Sequence, residues 1–232
     1  MKYKAVYFDL DNTLVHRRRS IEVYAQRFAT EYSAVGMGVT AGEIAEVVSY
    51  HDNGGSLRSD SNYPSIKVAV STELHKFFPA NAGVSEKELL EHWVNVFPKC
   101  AVAMDGAEEA LAHLHAKGYY LGIISNGARI TRVATARNLK ASRYLSLIVS
   151  SEEVGVSKPS TKIFKMVIES AGFLPEQCIY VGDNPINDIE GAQKAGMLPI
   201  WLSGFHEWPA SLDPPYYSIN TLNDLVPLIS SL

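Results

Sequence analysis

Strand-length apolar runs and helix-length segments alternate from about residue 101 toward the carboxyl end, a rhythm that few folds accommodate. Ala107, Ala110, Leu111 and Leu114 share helical spacing and end at Gly118, after which YYLGIIS reads as a buried strand. SLIVSS follows as a short strand. Ile163, Phe164, Val167, Ile168 and Ala171 form a helical stripe closed by Gly172, and CIYVGD is the next strand. Ile189, Ala192 and Ala195 mark a further helix that stops at Gly196, before LPIWL. Strands joined through helix-length crossovers pair in parallel, so the sequence predicts an α/β domain with a mostly parallel sheet.

Residues 16–100 follow a different pattern. Thr40 with Glu43 and Ser85 with Glu88 have capping-box spacing, each ahead of apolar helical positions: Ile44, Val47 and Val48, then Leu89, Leu90, Trp93 and Val94. Pro98 stops the second helix, and HDNGGSLRSDSNYP reads as a polar loop between helices. Because an apolar strand, AVYFDL, precedes this stretch, the expected organisation is a sheet domain of residues 1–15 and 101–232 with a helical insertion at 16–100.

With 47% hydrophobic and 20% charged residues in 232, the chain has the make-up of an ordinary globular protein. A net charge of -4 gives no footprint for nucleic acid or an anionic membrane surface, so a small anionic substrate needs a local positive site. Cys100 and Cys178 lie far apart without metal-ligand spacing, which fits reduced thiols. Asp9 interrupts the first apolar run too early for a signal peptide, and no stretch approaches membrane-spanning length. A cytoplasmic location is expected.

Parallel sheets of this kind bind ligands beyond the carboxyl ends of their strands, and the polar residues collect there. Asp9 and Asp11 end the first strand, Ser125 and Asn126 end LGIIS, and Asp183 ends IYVG; Lys158 lies in the loop after LIVSS, and Asp188 opens the next helix. If the strand stays extended, Asp9 and Asp11 face one way and repel. A proton, a bound cation or separation into solvent offsets that repulsion. One chemistry uses all of these groups. A carboxylate attacks phosphorus and splits one displacement into two, Mg²⁺ offsets the charge of Asp9 and Asp183, and Lys158 with amides near Asn126 holds the phosphoryl oxygens. Asp11 then serves as acid and base.

DLDNT at 9–13, IISN at 123–126, SKP at 157–159 and GDNPIND at 182–188 stand in this order along the chain. On these four motifs the sequence resembles the haloacid dehalogenase superfamily of phosphohydrolases over nearly its whole length. The resemblance implies a Rossmann-like three-layer core with a small α-helical cap inserted after the first strand. It implies Asp9 as nucleophile and metal ligand, Asp11 as acid/base and backbone-carbonyl metal ligand, Asp183 as metal ligand, and Ser125, Asn126 and Lys158 as phosphate binders. Asp188 takes the last acidic position, supporting the metal indirectly or pairing with the lysine. DLDNTL and the cap position look most like small-metabolite phosphatases acting on nucleotides, sugar phosphates or acylneuraminate phosphates.

A phosphomutase would use the same intermediate, and a non-catalytic relative would use the same pocket to hold a phosphorylated ligand or a partner. A dehalogenase is disfavoured, because that branch usually lacks an acidic residue at the position of Asp11. For HRRRS at 16–20, a solvated positive turn is favoured over pairing with a second substrate anion, and the loop carrying Asp52, Arg58 and Asp60 reads as surface. Trp93 reads as core, His92, His113 and His115 as surface, and Trp208 as part of a proline-rich packing segment or a partner surface.

Overall fold

The computed structural model describes residues 2–35 and 38–232. The chain divides into two compact units, Met1–Val15 with Ala103–Leu232 and, between them in sequence, His16–Val102.

The first unit opens with β1 (Ala5–Phe8), all four residues buried. The second unit then supplies α1 (Arg17–Glu31), α2 (Ala41–Asp52), α3 (Ile66–His75) and α4 (Glu86–Val96). Returning to the first unit, the chain forms α5 (Ala107–Ala116), β2 (Tyr120–Ser125), α6 (Arg129–Arg137), β3 (Leu147–Ser150), α7 (Ser151–Val154), α8 (Thr161–Ser170) and β4 (Cys178–Gly182). A π-helical turn at Pro185–Glu190 leads into α9 (Gly191–Lys194), followed by β5 (Leu198–Leu202), β6 (Ser218–Ile219) and α10 (Leu225–Ser230).

The six strands lie in the order β3-β2-β1-β4-β5-β6, and each neighbouring pair is parallel. β1 is central, with Tyr7 opposite Gly122 of β2 and Tyr180 of β4. Ala5 and Tyr7 pack with Ile124, Tyr180 and the α8 residues Ile163, Phe164 and Val167, while Val6 and Phe8 are equally buried on the opposite face. Both faces are therefore covered, which is why β1 reads as an unbroken apolar run. The result is the Rossmann-like α/β arrangement, and strand order reverses between β1 and β4. Crossovers leave that seam in opposite directions and open a crevice at its carboxyl end.

The helical unit has its own core. Tyr24, Ala25 and Phe28 of α1, Ile44 and Val48 of α2, Val70 and Leu74 of α3, and Leu89 and Trp93 of α4 pack together. Trp93 stacks on Phe97 at 4.1 Å between ring centroids. Both capping boxes are formed, Thr40 with Glu43 and Ser85 with Glu88.

Three expectations need correction here. HRRRS is neither a turn nor wholly solvated, because His16 caps α1 through its ring nitrogen and Arg17–Arg19 form the first helical turn. Arg17 is buried against Asp52, itself fully buried, so that residue is not surface loop. His92 is not a surface residue either. Its ring bonds the Tyr24 hydroxyl at 3.0 Å and Glu31 at 2.8 Å, and only 10% of the side chain is exposed. Trp208 packs edge-on against Trp201 at 5.0 Å and donates to the Leu212 carbonyl.

Candidate active site

β1 ends at Phe8, and the chain turns at once. Asp9 N–H still donates to Val181 O, but Leu14 and Val15 N–H both return to Leu10 O and Asn12 takes φ +58. Asp9 and Asp11 therefore sit in a tight turn and not along an extended strand, and their carboxylates take different cationic partners. Asp9 Oδ1 accepts from Lys158 Nζ at 2.6 Å, whereas Asp11 Oδ2 accepts from the Arg132 guanidinium.

Lys158 is the hub of the site. Its ammonium also bonds Asp188 Oδ1 at 2.6 Å and the Tyr180 hydroxyl at 2.9 Å, and that hydroxyl donates to Ile124 O. The Asn126 carboxamide holds the lysine's backbone from both sides, accepting from Lys158 N at 2.9 Å and donating to Lys158 O at 3.1 Å. Asn126 thus sets the lysine loop through its side chain. Ser125 ends β2, buried, opposite Ser150 of β3.

Asp188 arrives from the π-helical turn. Its Oδ2 accepts from Asn184 N, and Asn184, not Asp188, caps that turn. A side chain at Gly182 would collide with Asp188, so glycine at the end of β4 lets the carboxylate fold back over the strand. Asp183 follows directly. Its carboxylate meets Thr13 Oγ1 at 3.4 Å and His206 Nε2 at 3.4 Å, and its carbonyl accepts from Trp201 Nε1 at 2.9 Å.

One carboxylate oxygen each from Asp9, Asp183 and Asp188 lies within 4.8 Å of the others, all three residues buried. The haloacid dehalogenase-like hydrolase profile matches residues 6–202. The chain belongs to that family. It is 26% identical to the glyceraldehyde 3-phosphate phosphatase of Pyrococcus furiosus, covering 100% of this chain and 93% of that one. It is 25% identical to the phosphoglycolate phosphatase of Salmonella typhimurium, covering 97% and 92%. Among solved structures, the 2-haloacid dehalogenase of Pseudomonas syringae pv. tomato superposes with a TM-score of 0.64 at 26% identity, covering 99% of each chain.

The electrostatics of this haloacid dehalogenase-like site show a shortage of positive charge. Burial pushes the Asp9 carboxyl up from 3.8 to about 6, and the charges of Asp188 and Asp11 push the same way against Lys158. Burial likewise raises Asp183 and Asp188. Burial alone would lower Lys158, but Asp188 and Asp9 outweigh it and the ammonium is held firmly charged. His206 is raised by its bond to Asp183. Three buried carboxylates, two of them bonded to one ammonium and all hard oxygen donors, fit a hard divalent cation such as Mg²⁺.

Four residues of this edge have no role in the motif reading: Thr13, Arg132, Tyr180 and His206. Thr13 and Tyr180 lie inside or beside motif strands, where their polarity was the available signal. Arg132 and His206 come from segments whose sequence carries no such mark.

Proposed function

We propose that this chain hydrolyses a small phosphomonoester, with Asp9 as nucleophile, Asp11 as acid and base, and Mg²⁺ as cofactor. The observation that carries the reading is the Asp9 carboxylate fixed by Lys158 within a buried cluster that has more carboxylates than cations. Membership of the hydrolase family and relatives named as phosphatases of small metabolites support it. Among the described residues no helix is long and apolar enough to cross a membrane.

In the first half-reaction an Asp9 oxygen attacks phosphorus while the P–O bond to the alcohol breaks, and Asp11 gives its proton to the departing oxygen. In the second, Asp11 takes a proton from water, the water oxygen attacks phosphorus, and the bond to Asp9 breaks. Lys158 fixes the plane of Asp9 through Oδ1 and faces the phosphoryl oxygens with Ser125 and backbone amides near Asn126. Asp188 and Tyr180 hold the ammonium, and Asn126 holds its backbone. The side chains of Asp9 and Asp183 and the carbonyl of Asp11 would hold Mg²⁺, with Asp188 in support. When bound, the ion supplies the positive charge that keeps Asp9 ionised and offsets the phosphoryl oxygens. The helical unit acts as the family's cap and selects the leaving group.

The dehalogenase relative shares the fold, yet attack on carbon needs no cation, and a cluster this short of positive charge favours phosphoryl transfer. The test is phosphate release from a panel of phosphorylated metabolites, with and without Mg²⁺, in the native protein and in Asp9→Asn. Metal-dependent release lost in the variant is the expected result. Isomer interconversion without free phosphate would replace the hydrolase by a phosphomutase, and ligand binding without turnover would replace it by a binding protein.

A further inference from the structure

One charged side chain at the sheet edge has no part in the chemistry above. Arg132 rises from the first turn of α6 and reaches Asp11, an ion pair in which 11% of the arginine and 12% of the aspartate side chain remain exposed. Its side chain passes close over Gly127. A Cβ at residue 127 would stand 3.0 Å from Nε and 3.5 Å from Cζ, and Gly127 takes φ +130, so a side chain there would be strained by the backbone and crowded by the arginine. Nε is buried and has no hydrogen-bond partner among the described residues. Packing against Gly127, and not a second acceptor, therefore sets that side of the group.

The start of α6 is itself tied down. Gly127 N donates to Ser151 Oγ at 3.0 Å, Arg129 N to Glu152 Oε2 at 2.9 Å, and Thr131 Oγ1 to Ala128 O at 3.0 Å. The helix buries Thr135 and Ala136 and carries no apolar stripe that would call for a long side chain at 132. A planar, rigid cation is wedged between a side-chain-free backbone and one oxygen of the acid/base carboxyl.

We propose that Arg132 is a positioning residue for Asp11: it fixes the plane of the carboxyl group that exchanges protons with the leaving alcohol and the attacking water. This rests on the reading of Asp11 as acid and base. Proton transfer needs the donor within about 2.6–3.2 Å of its target, and the Arg132 guanidinium, set against Gly127, holds one oxygen of that carboxyl. Guanidinium suits the task better than ammonium because its fork is planar and grips a carboxylate in a defined orientation. Recognition of a second substrate anion is the weaker account, since one nitrogen is committed to Asp11 and Nε faces Gly127.

The experiment compares p-nitrophenyl phosphate, whose phenolate leaves without help, with an alkyl phosphomonoester, whose alkoxide must be protonated. The quantity read is kcat/KM, which stops at the first irreversible step, transfer to Asp9. In Arg132→Gln, kcat/KM on the alkyl ester is expected to fall about 10²-fold, the lower end of what a positioned acid contributes, with p-nitrophenyl phosphate changing less than about threefold. Arg132→Lys should recover part of the alkyl activity. Equal losses on both esters would mean a purely structural arginine and overturn the proposal. A rise in KM confined to substrates with an anionic leaving group would make Arg132 a substrate ligand and also overturn it. A native protein that hydrolyses neither ester overturns the phosphatase reading and this role together; native activity that vanishes in Asp9→Asn keeps that reading whatever Arg132 does.

Discussion

The two units bury charge in opposite ways. In the helical unit, Arg17 forms a fork on Asp52, Nε to Oδ2 at 2.7 Å and Nη2 to Oδ1 at 2.6 Å; Asp52 Oδ2 also takes the Gly55 N–H, and the guanidinium lies over the Phe97 ring. Both carboxylate oxygens of Asp52 are engaged by the one guanidinium. At the sheet edge Asp9 and Asp188 bond Lys158 with Asp183 beside those carboxylates, and Asp11 pairs with Arg132, with His206 adding charge only when protonated. Among the described residues, Lys158 serves both Asp9 and Asp188, and Asp183 meets a cation when His206 is protonated. A buried charge that serves structure is matched inside the protein, whereas one that serves chemistry is left for a ligand to match, at a cost to the fold.

The sharpest way to break this contrast is Asp9→Asn. Phosphate release should fall at least about 10⁴-fold, as it does when a covalent nucleophile is removed. The metal-free variant should at the same time melt higher than the native protein, because a buried, poorly matched charge has gone. Activity lost together with stability would mean that Asp9 is held for structure, and the two units would not differ in kind.

Asp52→Asn should show the opposite pattern. It removes the carboxylate that forks the buried Arg17 guanidinium, and breaking a buried pair costs about 3–5 kcal/mol. Urea denaturation of the native and variant proteins measures it. A loss under about 1 kcal/mol would put the Arg17–Asp52 pair with ordinary surface bridges.

The pH dependence of stability sharpens the comparison next. Asp9 has an ordinary value of 3.8 and one of about 6 in the fold. Between those values the folded state keeps a proton that the unfolded chain has lost, so stability falls as pH rises from about 4 to about 6 and the full cost stands above that. A difference of about two units corresponds to roughly 3 kcal/mol. Asp183 and Asp188 are shifted the same way, and His206, raised by Asp183, also contributes stability that is lost as pH rises. The metal-free protein should therefore resist urea better at pH 5 than at pH 7, and saturating Mg²⁺ should remove most of the difference. Unchanged curves with and without Mg²⁺ would argue against cation binding at this edge.

Much of this contrast was legible in the sequence, but not its balance. The α/β rhythm shows because buried parallel strands must be continuously apolar, and the chemistry shows because polar residues follow each strand: Asp9 after β1, Asn126 after β2, Asp183 after β4. Helix α6 was missed because RITRVATAR buries too little to leave a stripe, so Arg132 had no context. Helix α1 had a signal, with Ile21, Tyr24, Ala25 and Phe28 at helical spacing, but three arginines in its first turn oppose the helix dipole and masked it. Asp9 and Asp11 face one way only if the strand stays extended; the hydrogen bonds to Leu10 O that close the turn come from backbone geometry that alternation does not encode. The partners Arg132 and His206 join Asp11 and Asp183 across long sequence separations, and only the folded chain brings them together.

The smallest expected effect tests whether the helical unit is insulated from the cation. At α2 the capping box is tight, with Thr40 N and Oγ1 meeting Glu43 Oε2 at 2.7 and 2.8 Å; at α4 the Ser85 bonds to Glu88 Oε2 are longer, 3.3 and 3.4 Å. Thr40→Ala should cost about 1 kcal/mol, and Ser85→Ala no more than that. Both sites are exposed and self-contained, so neither loss should depend on Mg²⁺. Urea titrations of both variants with and without the ion measure this. If the Thr40→Ala loss grew or shrank by more than half when Mg²⁺ was added, the stability of the helical unit would be linked to the charge at the sheet edge, and the separation between matched and unmatched charge would not follow the division of the chain.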